Sequence, residues 1–318
     1  MAGMAVGCPP LAAQDPIRAS PGRAGGAVPM TMPQTAPARP ASPTLRPEHR
    51  TSPDWIGRQA ARALILEVET WPKPGLVSHI DTGAHQDMDA ALLRLSARTL
   101  EPYFVALAEA GAADAGMDRL RLIGLEAEAA MRQATGNVNT HRGAIFGLGL
   151  LAAAAGLAGA CAWRRPLGIL IAARWGGEIT AKPQEAASHG GIVARRYRAG
   201  GAREEAAAGM PSVYDVARPA LREGRRLAAG DEEAARVHAC MALIATVEDS
   251  NLLYRGGIDG LAFARAAALR FLRDGGVGCR HWRWAAKAIH DDFVARNLSP
   301  GGCADLLAMA LFTEALES

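Results

Sequence analysis

The sequence predicts an all-α fold: one compact multi-helix domain over residues 53–318, preceded by a disordered Pro/Ala-rich extension over residues 1–52. Three observations carry this. Apolar residues recur at helical spacing from Asp54 to the C-terminus. Ala, Leu, Arg and Glu fill the periodic segments, and β-branched runs that would favour strands are scarce. Hydrophobic residues make up 49% of a 318-residue chain, enough for a core that needs no metal or disulfide support.

The elements follow in order. Residues 1–52 hold roughly half of the 19 prolines, mixed with small polar residues, and offer too little apolar surface to offset their ordering entropy. Ser52 or Asp54 can cap a first helix through Ile56, Ala60, Ala63, Leu64 and Glu67, which Trp71-Pro72 ends. A polar loop over 73–88 follows. Further helices are expected at 89–110, 117–134, 142–162, 203–209, 212–228, 231–253, 259–274, 281–296 and 302–316. The stretch 143–163 is long enough to span a bilayer. Ala and Gly supply most of its length, however, so a buried central helix is expected and no membrane association.

Charge narrows the function classes. The net +3 resides in the first fifty residues, where five arginines face Asp15 and Glu48, so the folded part carries no basic footprint for nucleic acid. Five cysteines with no CxxC pair and no Cys/His cluster, and the lack of a basic start followed by an apolar run, suggest a reducing cytoplasm.

Polar residues gather in five clusters beside Gly or Pro. They are Lys73-Pro74-Gly75 with Gly83 to Asp89, including His85 and Asp87; Thr135 to Gly143; Ser188-His189-Gly190 with Gly201 to Glu205, including Arg203; Glu248 to Asn251 with Arg255-Gly256-Gly257; and Arg296 to Gly302 with Asp305. Asn139 or Thr140 can cap the central helix, and the free N–H groups of its first turn, with Arg142, suit a phosphate. Ser299-Pro300-Gly301-Gly302 opens the last helix in the same manner. Arg142, Arg203, Arg255 and Arg296 can supply charge-assisted forks. The plain alternative for each cluster is a capped helix start or a solvated face, and Asp249 and Asn251 can simply cap a following turn. Recurrence favours a polyphosphate site. Neither a P-loop, a Rossmann fingerprint, HExxH nor GxSxG is present, so a nucleotide must be held by other means.

The runs Lys73-Pro74-Gly75-Leu76-Val77, Gly83 to Met88, Val138 to Phe146, Gly201 to Ala206, Asn251 to Gly257 and Arg296 to Gly302 together resemble the triphosphoribosyl-dephospho-CoA synthase family. They stand in that family's order and cover about 60–315. Departures include Asn137 for a usual Gly, Met210 for a Phe, Arg218 for a Leu, Arg198 for a Gly and Cys303 for a Ser; Glu248-Asp249-Ser250 varies an Asp-Asp-Thr pattern. The resemblance implies transfer of the 5-triphosphoribosyl group of ATP to the 2'-hydroxyl of 3'-dephospho-CoA, with adenine released. The product is a prosthetic-group precursor for malonate decarboxylase or citrate lyase, passed on to the enzyme that loads the acyl-carrier protein. The 188–205 region resembles the malonate decarboxylase type more.

Under this reading Lys73, Gly75, Asn139, Thr140, Arg142, Gly143, Arg203, Glu205, Asn251, Arg255, Gly256, Arg296, Ser299, Gly301 and Gly302 are expected to bind the two nucleotides. His141 or His85 suits the base that takes the 2'-hydroxyl proton. Asp87, Asp249 or Asp305 can stabilise charge at the sugar, or hold Mg²⁺ arriving with the triphosphate. A helical nucleotide hydrolase and a non-catalytic carrier-protein chaperone are the rival readings.

Overall fold

A computed structural model of the chain describes residues 52–181 and 201–318. The expected extension and the Ser188-His189-Gly190 cluster lie outside them, apart from Ser52. Ser52 caps the first helix: its Oγ accepts from Trp55 N–H at 3.3 Å. Eleven α-helices occupy the described residues, with no strand among them. They are α1 (Pro53–Val68), α2 (Ala90–Ala112), α3 (Met117–Ala134), α4 (Arg142–Ala160), α5 (Leu167–Ala181) and α6 (Ala202–Ala207). After a π-helical turn (Ser212–Ala217) come α7 (Arg218–Leu227), α8 (Glu232–Thr246), α9 (Ser250–Arg273), α10 (Trp282–Ala295) and α11 (Gly301–Glu317).

The apolar stretch singled out in the sequence is α4, which packs against α2, α3, α5 and α11 as the centre of the bundle. It is long and apolar enough to cross a membrane, yet two thirds of it is buried among its neighbours. Its small residues explain the position. A Cβ at Gly156 would lie 1.9 Å from Ala108 O on α2, and one at Gly111 of α2 would lie 1.9 Å from Ala153 O on α4. The two backbones therefore touch where side chains would hold them apart.

Three expectations on element boundaries are corrected. Helix α5 falls in the interval between 162 and 203, where no helix was expected; Leu167, Leu170, Ile171, Trp175 and Ile179 bury it. The helix expected over 231–253 ends at Thr246, since Val247 turns extended. The next helix begins at Ser250, ahead of the expected 259, and breaks its dihedral pattern at Gly257, where φ is 62°.

The loop between α1 and α2 is pinned to the end of the bundle. Ala84 N–H donates to Gly75 O, and buried His290 of α10 donates from Nδ1 to Lys73 O at 2.7 Å. A Cβ at Gly75 would lie 2.0 Å from Leu298 O, so only glycine lets this loop meet the segment before α11.

Candidate active site

The amino ends of α4, α9 and α11 converge on one large cavity of about 1190 Å³. Each end leaves backbone N–H groups without intrahelical acceptors. Burial makes those groups costly unless they are met, and carboxylates meet them. Asp249 Oδ1 accepts from Asn251 N–H (2.8 Å) and Leu252 N–H (3.0 Å), capping α9, while its Oδ2 accepts from Cys303 N–H (2.8 Å) in the first turn of α11. Asp305, one turn into α11, accepts from Ala144 N–H of α4. A Cβ at Gly143 would fall 2.0 Å from Asp305 Oδ2, and one at Gly302 would fall 2.9 Å from Asp249 Oδ2. These glycines do admit an anion to a helix start, but the anion is the protein's own. Burial is the first cause raising the carboxyl pKa of both aspartates, and for Asp305 the charges of Glu67 and Asp249 push further in the same direction.

His141 sits at the N-cap position of α4 and is buried, but its side chain does not cap. The first N–H of α4, at Arg142, is met instead by Asn139 Oδ1 at 3.3 Å. Thr140 Oγ–H donates to Ser96 Oγ at 2.7 Å, and Ser96 Oγ lies 2.7 Å from His141 Nδ1. With Thr140 donating to it, Ser96 has its own proton free to point at Nδ1, and we assign that arrangement, with the ring proton on Nε2. Nε2 has no partner among the described residues, and His141 lines the cavity. Burial, then the nearby charge of Lys73, lowers its pKa to about 4, so the ring is neutral at physiological pH.

A second histidine, His85, also lines the cavity. His85 Nε2 is 2.9 Å from Ser299 Oγ, and its Nδ1 is 3.5 Å from Asp87 Oδ1. Arg255 holds this corner together, donating to Ala84 O at 3.0 Å and Asn297 Oδ1 at 2.9 Å with the His85 ring within 3.5 Å. Burial first, then Arg255, lowers the pKa of His85.

Of the residues singled out in the sequence, His85, Asn139, Thr140, His141, Arg142, Gly143, Arg203, Glu205, Asp249, Asn251, Arg255, Ser299, Gly301, Gly302 and Asp305 all line this cavity. Five are not part of its lining. Lys73 is fully buried behind it and paired with Glu67. Gly75 and Gly256 pack against Leu298, Arg296 stacks on Phe263 with its guanidinium carbon 4.2 Å from the ring centroid, and Asp87 is exposed beside His85. Glu205 lines the cavity but also accepts from Ser212 N–H and Oγ–H, tying α6 to the π-helical turn.

Sequence reasoning passed over Glu67, Ser96, Glu128 and Arg132. Glu128 binds Arg132 and Arg142, each at 3.2 Å, and sets both guanidinium groups at the cavity edge. Glu67 and Ser96 had a legible signal: each is a polar residue within the apolar stripe of an amphipathic helix. Asn137 itself has a φ of 70°, a left-handed conformation that Asn tolerates.

The three aspartates expected to hold Mg²⁺ do not converge. Asp87 is exposed at the His85 corner, and Asp249 spends both oxygens on backbone donors. No group of three or more His, Cys, Asp or Glu side chains among the described residues is placed to hold a metal ion. The donor set does not fit a cation held by the protein alone.

Fold and cavity define an all-helical enzyme class in which buried carboxylates, arginines and histidines meet at converging helix ends. Residues 53–318 match the family model of ATP:dephospho-CoA triphosphoribosyl transferase (CitG), and the chain belongs to that family. It is 42% identical over 264 residues to a protein of Azotobacter vinelandii named probable 2-(5''-triphosphoribosyl)-3'-dephosphocoenzyme-A synthase, covering 81% of this chain and 90% of the relative. A Klebsiella pneumoniae protein named 2-(5''-triphosphoribosyl)-3'-dephosphocoenzyme-A synthase is 38% identical over 278 residues, covering 85% and 96%. No solved structure matches the chain.

Proposed function

We propose that this chain is a triphosphoribosyl-dephospho-CoA synthase, transferring the 5-triphosphoribosyl group of ATP to the 2'-hydroxyl of 3'-dephospho-CoA and releasing adenine. The observation that carries this reading is the single cavity in which Arg142, Arg203 and Arg255 line one space with His141, Asp249 and Asp305. Guanidinium groups suit phosphates, and a neutral histidine and carboxylates suit a sugar that gains positive charge as its bond to adenine breaks. Apolar side chains of Leu120, Leu125, Phe146 and Leu150 in the same cavity suit the methyl and methylene groups of the long pantetheine arm of dephospho-CoA.

Mg²⁺ enters this reading as part of the MgATP substrate, with phosphate oxygens as its principal ligands. With Nδ1 engaged by Ser96, His141 presents an N–H donor to the reacting sugar or to the departing base. The product serves malonate decarboxylase or citrate lyase through the enzyme that loads the carrier protein. A cytoplasmic location accords with these reactants and with the free cysteines Cys161, Cys240, Cys279 and Cys303.

The test is mass analysis of products from purified enzyme, MgATP and dephospho-CoA. Stoichiometric adenine and triphosphoribosyl-dephospho-CoA are expected. Adenine release that ignores dephospho-CoA would turn the reading into a hydrolase, and no adenine at all would remove the enzyme.

A further inference from the structure

A fully buried lysine needs a reason, since its charge is costly away from water. Lys73 has no exposed surface, and its ammonium is bound by Glu67 Oε1. Glu67 lies on the buried face of α1, 6% exposed, and lines the cavity. Its second oxygen, Oε2, has no partner among the described residues. The neighbouring carboxylates are different in kind. Asp249 is engaged at both oxygens by backbone N–H groups, and Asp305 accepts from the start of α4. Since the Ser96 hydroxyl engages His141 Nδ1, the His141 ring offers the cavity a donor and no lone pair. Glu67 thus offers the cavity an open carboxylate oxygen while its other oxygen is held by a dedicated counter-ion.

We infer that Glu67 is the catalytic base of the transfer, with Lys73 as the positioning residue that holds its carboxylate at the cavity. The inference rests on the transfer reaction proposed above. As the 2'-hydroxyl oxygen of the acceptor bonds to the ribose C1' of ATP, Glu67 Oε2 takes the hydroxyl proton. The bond from C1' to adenine N9 breaks, its electron pair leaves with the base, and adenine takes up one proton from water. Glu67 returns its proton to solvent, so the turnover is balanced. The same negative oxygen stabilises the positive charge that develops at C1'.

Three variants test this, with product formation, ATP affinity by calorimetry and thermal melting as readouts. Glu67→Gln should lower turnover about 10²–10⁴-fold, the scale of general base catalysis, with the Kd for ATP changed less than about threefold. That variant also strands the buried Lys73, so stability is expected to fall. The double variant Glu67→Gln/Lys73→Met removes both charges and is expected to regain the wild-type melting temperature. If the pair were only structural, turnover would return with it; a catalytic Glu67 predicts that it does not. Glu67→Asp keeps a partner for Lys73 while withdrawing the carboxylate, and should lose at least about tenfold in turnover on a stable fold, which also decides the matter if the other two fail to fold. Wild-type product with near-normal turnover in any folded variant overturns this assignment and leaves the proposed function standing. Absence of product from the wild type overturns the function itself.

Discussion

His141 is the residue whose chemistry the surroundings define most closely. Its Nδ1 is engaged by the Ser96 hydroxyl, which is itself hydrogen-bonded to Thr140, leaving Nε2 as a donor toward the cavity. His141→Ala should therefore lower turnover about 10²–10³-fold, the range found for loss of a transition-state donor, while ATP still binds. His141→Asn retains a donor and should recover a substantial part of that loss; if it fails as badly as alanine, proton transfer rather than hydrogen bonding is the role. The same burial predicts an effect on stability. A histidine whose folded pKa is about 4 and whose unfolded value is 6.5 takes up its proton first in the unfolded state as pH falls. Its contribution is complete above pH 6.5 and is lost between about pH 6.5 and 4, amounting to about 3 kcal/mol. Denaturant titrations of wild type and His141→Asn should show stabilities that converge over that window. Subtracting one curve from the other removes the opposite trend of Asp249 and Asp305, whose raised pKa values favour the folded state as pH falls.

Among the elements, the crossing of α2 and α4 sets the geometry of the site, because α2 carries Ser96 and α4 begins at His141. The helices meet through Gly111 and Gly156, whose added Cβ atoms would each lie 1.9 Å from a carbonyl oxygen of the other helix. No rotamer relieves a clash with backbone, so the helices would have to separate. Gly156→Ala should cost about 3 kcal/mol and lower Tm by roughly 5–10 °C. Unchanged melting would mean that the two helices have slack at the crossing. Because Gly156 lies near the far end of α4 from His141, residual folded enzyme should keep its KM for ATP. Helix α9 makes the complementary point, for Asp249 starts it and also binds the first turn of α11, fixing two walls of the cavity with one carboxylate.

At the scale of the molecule, the family match begins at residue 53 and the first helix is capped by Ser52. Residues 1–50 are rich in Pro and Ala and carry the whole net positive charge. Enzyme lacking residues 1–50 should keep its turnover, and its Tm should lie within about 2 °C of the full chain; a loss of either would give the extension a part in the fold or the reaction. Retaining Thr51 and Ser52 in that truncation preserves the cap of α1.

The all-α class and the central apolar helix were legible in the sequence, and most of the residues it singled out line the cavity. Helical period and the Gly- and Pro-flanked polar runs are local signals, and local signals survive without the fold. What bound those residues to one another was not local. The sequence offered the starts of α4 and α11 as places for phosphate, and only the tertiary structure set Asp305 and Asp249 against them. It offered Lys73 as a ligand-binding cation, and only the packing of α1 beneath the 73–88 loop buried that cation on Glu67. A charge in a sequence has no partner until the chain closes on itself. Which group faces the substrate and which is consumed in holding the fold is decided by burial, because only there must every polar atom find its match.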